Sequence, residues 1–197
     1  MPLPNTIFVA IGVITAASLT GVFSFITLIN QKEGKVSEFR QNWIDALRKD
    51  IAKLTSCLDR ISTSWQLIKL REDKKEVPFD GLVWMDDLNE LVKDDVSNFS
   101  ECHNRILLSL NPEDDKELIS KLKIAKLSLS NSEVLFEKAE IDTQIENIVY
   151  LTQQLLKTEW EVVKSGEKAY INTKRATTFI VATLLLTLPV TYFYFLN

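Results

Sequence analysis

Residues 7–30 read IFVAIGVITAASLTGVFSFITLIN, a stretch without a single charged side chain. As a helix rising about 1.5 Å per residue it reaches roughly 36 Å, longer than the ~30 Å hydrocarbon core of a bilayer. A cleaved signal peptide would need a basic leader and a shorter apolar core. Only Met1–Thr6 precede the stretch, and none of them is Lys or Arg. The stretch therefore reads as a membrane-spanning helix.

The other end of the chain repeats the pattern. Residues 177–196 read TTFIVATLLLTLPVTYFYFL, about the length of a second span. Pro189 lies inside it, which membrane helices tolerate when neighbouring groups satisfy the freed carbonyl. Tyr192 and Tyr194 fall where an interfacial aromatic belt belongs. All charge lies between Lys32 and Arg175, in a chain of 197 residues with a net charge of −4. The expected division is a tail at 1–6, a first span at 7–30, a helical bundle at 31–175, and a second span with the C-terminus at 176–197. Lys32, Lys35 and Arg40 follow the first span, and Lys164, Lys168, Lys174 and Arg175 precede the second. By the positive-inside rule the bundle is expected in the cytoplasm and both termini outside.

The charged block is helical in its periodicity. Val36, Phe39, Trp43, Leu47, Ile51, Leu54, Leu58, Ile61, Trp65 and Ile68 recur every three or four residues, a coiled-coil-like seam on one helix. Residues 72–81, with Pro78 and Gly81, read as a loop. A second helix follows to Leu110, its inner face formed by Leu88, Val92, Phe99, Cys102, Ile106 and Leu110. Asn111-Pro112-Glu113-Asp114 reads as the start of a short third helix, with Leu118, Ile119 and Leu122 inward. Ser130 and Glu133 have capping-box spacing, so the last helix is expected from Glu133. Its seam runs through Ile141, Ile145, Ile148, Thr152 and Leu155, and Gly166 is a candidate joint. The fold class is all-α, two transmembrane helices flanking an antiparallel bundle of about four helices. No internal repeat stands out on inspection.

Catalytic chemistry is not expected. His103 is the sole histidine, and its neighbour Cys102 does not make a dyad, because consecutive helical residues point about 100° apart. There is no Cys-x-x-Cys pair and no glycine-rich phosphate loop. Cys57 and Cys102 sit in helical apolar patterns and read as core thiols. No basic stripe marks a nucleic-acid surface. No metal and no cofactor is expected.

Three stretches carry a resemblance: Val36–Arg48 (VSEFRQNWIDALR), Arg105–Asp115 (RILLSLNPEDD) and Leu155–Glu167 (LLKTEWEVVKSGE). In these the chain resembles a group of small bacterial two-span helical membrane proteins. Some proteins of this general look accompany anti-phage systems, including retron reverse transcriptases and nucleotide-signalling operons, as membrane-damaging effectors. Members often carry a His soon after Asn-Pro-Glu, and here Lys116 stands in that region instead.

Two functions are weighed. In the first, the chain is an anti-phage, abortive-infection effector that oligomerises and disrupts or depolarises the bilayer. Gly12/Ala16 and Ala17/Gly21 are small-xxx-small pairs that let membrane helices approach closely, toward another copy or toward the chain's own second span. In the second, it is a non-catalytic anchor or scaffold, docking a soluble partner such as a reverse transcriptase or nucleotide-signalling protein through Phe79, Trp84 and Met85.

Overall fold

No proline falls between Asn5 and Lys75, and the three glycines in that stretch are isolated. Nothing in it forces a helix to stop. The computed structural model, which describes residues 5–73, 81–166 and 170–183, has one helix there, α1, Asn5–Asp73. It continues through Gly34, where a side chain would meet open space. The other helices are α2 (Gly81–Ser109), α3 (Lys116–Ser128), α4 (Ser132–Phe136) and α5 (Lys138–Ser165), and residues 170–183 are also helical. No strand occurs among the described residues. The chain is all-α.

It divides into two compact units: Asn42–Trp160, and Met1–Gln41 together with Glu161–Asn197. The unit Asn42–Trp160 has a single apolar core. Leu47, Ile51, Leu54, Leu58 and Ile61 of α1 meet Leu88, Val92, Phe99, Cys102 and Ile106 of α2. Leu118 and Leu122 of α3, Leu135 of α4, and Ile141 and Ile148 of α5 complete it. The α2 inner face is buried at each residue named from the sequence, Leu110 included. The α1 seam is buried from Leu47 to Ile61, but Phe39 is 75% exposed. Ile44, absent from the seam, is buried instead.

Cross-helix pairs fix the directions. Asp50 meets Arg105, Lys53 meets Asn98 and Arg60 meets Asp95, so numbers rise on α1 as they fall on α2. The same holds for α1 and α5: Asp59 pairs with Lys138, while Ala52, Thr55 and Ser56, earlier on α1, lie beside Ile145 and Glu146, later on α5. Both α2 and α5 therefore run antiparallel to α1.

Three helix boundaries differ from the sequence expectation. Asn111 does not start α3. Its side chain accepts from the Glu113 amide at 3.0 Å and donates to Asp114, so it stabilises a turn, and α3 begins at Lys116. Asx turns compete with caps for the same amides. Asn131, and not Ser130, caps the next helix, accepting from the Glu133 amide. The expected last helix breaks at Glu137 into the single turn of α4 and then α5. The break leaves the Leu135 carbonyl for Ser62 to satisfy.

In the other unit, α5 ends at Ser165 and Gly166 has φ +80°, the left-handed conformation common just past a helix end. The Gly166 amide donates to the Val162 carbonyl at 2.9 Å. Farther on, the Tyr170 hydroxyl and the Asn30 side-chain oxygen are 3.0 Å apart. The second span described from sequence is covered only as far as Thr183, so Pro189, Tyr192 and Tyr194 lie outside the described residues.

Candidate functional site

The first stretch of α1 is long and apolar enough to cross a membrane. None of its most apolar window is buried by the fold. Val9, Val13, Ile14, Phe23, Phe25 and Leu28 are all more than half exposed. In water this would leave a row of large apolar side chains exposed along one helix, a patch of the kind soluble monomers rarely show.

One side of this stretch is nonetheless packed. Thr15, Leu19, Val22, Ile26, Ile29 and Glu33 are half-buried and recur every three or four residues. At 100° per residue these positions share one face. Ala17 and Gly21 fall on roughly the opposite face, while Gly12 and Ala16 flank the packed one. All four are exposed, and a side chain added at Gly12 or Gly21 would meet nothing within 4 Å. The small-residue pairs therefore do not form this unit's packed seam. Ser18, Thr20 and Thr27 donate to the carbonyls four residues back, at 2.8–2.9 Å, so these hydroxyls are satisfied within the helix.

The partner-contact candidates fare differently. Phe79 lies outside the described residues. Trp84 and Met85 have only their helical backbone described, near the start of α2, and their side chains lie outside the described residues as well.

The unit Asn42–Trp160 holds a pattern that inspection of the sequence missed. Residues 46–62, ALRKDIAKLTSCLDRIS, align without a gap on residues 91–107, LVKDDVSNFSECHNRIL. Asp50, Cys57, Arg60 and Ile61 correspond to Asp95, Cys102, Arg105 and Ile106. The structure places the two copies antiparallel, as a pair with approximate two-fold symmetry. Arg60 grips Asp95 through Nε and Nη2, at 3.0 and 2.5 Å. Arg105 grips Asp50 in the same way, at 3.0 and 2.7 Å. Each guanidinium also reaches back to its own helix. Arg60 donates to Ser56 and to the Cys57 sulfur; Arg105 donates to Glu101 and to the Cys102 sulfur. Lys53 and Asn98, equivalent positions, meet each other near the symmetry axis at 2.7 Å. Sliding the sequence against itself by 45 residues would have exposed the repeat.

This clasp is built for structure. Arg60 beside Asp95 holds that carboxyl below the usual carboxylate range. Burial pushes both thiols up, away from the reactive thiolate form. Both cysteines are free and buried, as their apolar spacing implied. His103, at the repeat position of Leu58, is 2% exposed and stacks on Phe99 with ring centroids 6.0 Å apart. Neither ring nitrogen meets hydrogen-bond geometry. Burial lowers its pKa; the nearby Asn104 side chain and Leu122 backbone oppose this only in part. The histidine is thus held neutral inside an apolar layer. Among the described residues, no three His, Cys, Asp or Glu side chains converge as a metal site would require.

No protein-family model, curated protein or solved structure matches the chain.

Proposed function

We propose that this chain is a bacterial inner-membrane effector that works by self-association of its first apolar helix, with no catalytic step. The supporting observation is the division of α1. Its first stretch buries none of its most apolar window, while its later stretch supplies the spine of a well-packed core. The free surface needs lipid or another copy to cover it. Ala17 and Gly21, on the face away from the packed seam, allow the close backbone approach that drives helix association in bilayers.

We infer that the apolar stretch beginning at Ala176 is a second span, entering from the same side. Ile26, Asn30 and Glu33 lie beside residues 170–178, so the apolar stretch of α1 and the one beginning at Ala176 start at the same level. Both then enter the bilayer from one side, and the Lys and Arg flanks put that side in the cytoplasm. The helical core there acts as sensor and restraint, and its change of state releases first spans to associate and depolarise the membrane. The setting of anti-phage defence rests on the sequence resemblance alone, as does a soluble partner of the reverse-transcriptase or nucleotide-signalling kind.

The test is expression with the neighbouring genes, followed with a membrane-potential dye. Depolarisation that is lost when Gly21 is replaced by Leu supports the proposal. An unchanged potential on activation refutes it and favours a passive anchor.

A further inference from the structure

The boundary between the apolar and charged parts of α1 faces a cavity of about 370 Å³ within the unit formed by the two chain ends. Ile26 and Ile29 line its apolar part; Asn30, Glu33, Tyr170, Lys174, Thr177 and Thr178 line the rest. Its size falls at the low end of the ~300–1,000 Å³ usual for small-molecule sites.

Its chemistry is graded. Ile26 and Ile29 belong to the half-buried face of the apolar stretch. With them stand one cation, one carboxylate and four hydrogen-bonding side chains. The Lys174 ammonium lies 5.9 Å from the centroid of the Tyr170 ring. The Tyr170 hydroxyl meets Asn30 at 3.0 Å, which fixes the ring. The threonine hydroxyls are committed to carbonyls one turn back, so they offer lone pairs and no free proton. Lys174 is thus the strong donor in the cavity, and Glu33 the strong acceptor.

We propose that this cavity is a binding site for a phospholipid with a zwitterionic, primary-amine headgroup, of the phosphatidylethanolamine type. This rests on the membrane reading of the two chain ends. The lipid phosphate pairs with Lys174, and the headgroup ammonium donates to Glu33. A carboxylate offers about four lone-pair sites, so Glu33 accepts the amine beside its contacts within the protein. The first methylenes of an acyl chain lie along Ile26 and Ile29. A purely anionic headgroup would set its charge against Glu33. A quaternary amine would lose the N–H donors that make the carboxylate contact a hydrogen bond.

The experiment is native mass spectrometry of the full-length protein in detergent, with phosphatidylethanolamine, phosphatidylcholine or phosphatidylglycerol added at equal concentrations. Preferential retention of phosphatidylethanolamine is expected, lowered about tenfold by Lys174→Gln, as loss of a charge-assisted hydrogen bond implies. Glu33→Gln should abolish the preference for the primary amine over the quaternary one. Water-soluble glycerophosphoethanolamine should not bind at the same concentration; equal binding would mean a free-phosphate site and overturn the lipid assignment. Equal retention of all three lipids, or Lys174→Gln binding like the parent with unchanged helicity, would also overturn it. A protein that fractionates as soluble in cells would instead sink the membrane reading beneath it.

Discussion

Along one helix, the same kinds of side chain meet two different surroundings. Leu54, Leu58 and Ile61 of α1 are at most 1% exposed, whereas Val13, Ile14 and Phe23 of the same helix are over 60% exposed. Composition does not separate them, since both sets are large and apolar. Their neighbours do. In the later stretch Leu47, Ile51, Leu54, Leu58 and Ile61 each stand next to a charged residue, so one face is left for a core and the others for water. In the first stretch no face carries a charge. A helix that is apolar all round must be enclosed, and here the chain encloses only one side of it. The contrast is the physical basis for assigning lipid to the first stretch and protein to the second.

The largest effect that sharpens this contrast is in the core. Phe99→Ala should destabilise the unit Asn42–Trp160 by about 3–5 kcal/mol, the usual cost of a deleted core aromatic. Phe23→Ala, 61% exposed in the parent, should leave that unit's denaturation midpoint unchanged. Urea titration followed by tryptophan fluorescence compares the two. Equal losses would break the comparison, because they would mean that Phe23 is packed.

A smaller effect is expected at Gly166, in the unit of the chain ends. Its φ of +80° costs a non-glycine residue about 1–2 kcal/mol. An added methyl would also lie 2.9 Å from the Tyr170 ring and 3.0 Å from Glu33. Gly166→Ala should therefore lower the thermal midpoint of helicity in detergent. An unchanged midpoint would show that the helix end at Ser165 is not needed there.

The smallest effect concerns pH, and it belongs to the core. The folded pKa of His103 lies below the unfolded value of about 6.5, so the unfolded chain takes up the proton first. Its contribution to stability is complete above about pH 6.5 and is lost as pH falls. The slope is at most about 1.4 kcal/mol per pH unit. His103→Leu places the residue of the equivalent repeat position there and should flatten stability between pH 5 and 7. A slope that survives the substitution would assign the acid sensitivity elsewhere.

Much of this was legible in the chain before folding. The α2 inner face was readable because Leu88, Val92, Phe99, Cys102 and Ile106 recur at helical spacing, with Asp95 as the one charged member. Phe39 was misplaced because a three-four pattern also continues by chance past the end of a packed face. The Asn111 turn was hidden because a side chain that caps a helix equally stabilises a turn, and the Glu137 break because no proline or glycine marks it. The repeat was hidden for a different reason. Its identical residues are scattered, and only the antiparallel packing of the two copies makes Asp50 answer Arg105 as Asp95 answers Arg60. The cavity beside Asn30 required two segments distant in sequence to meet, which periodicity within either one does not reveal. The small-residue pairs were visible, but their relation to the packed seam was not.

The central claim is that the Ala17–Gly21 face of α1 is an association surface inside a membrane. Single cysteines placed in turn from position 12 to 22, oxidised in native membranes and read as cross-linked dimers, test it most directly. The account predicts strongest cross-linking at 17 and 21 and little at 15, 19 and 22. Cross-linking that peaks at 15, 19 and 22, or a protein recovered from the soluble fraction, would contradict it.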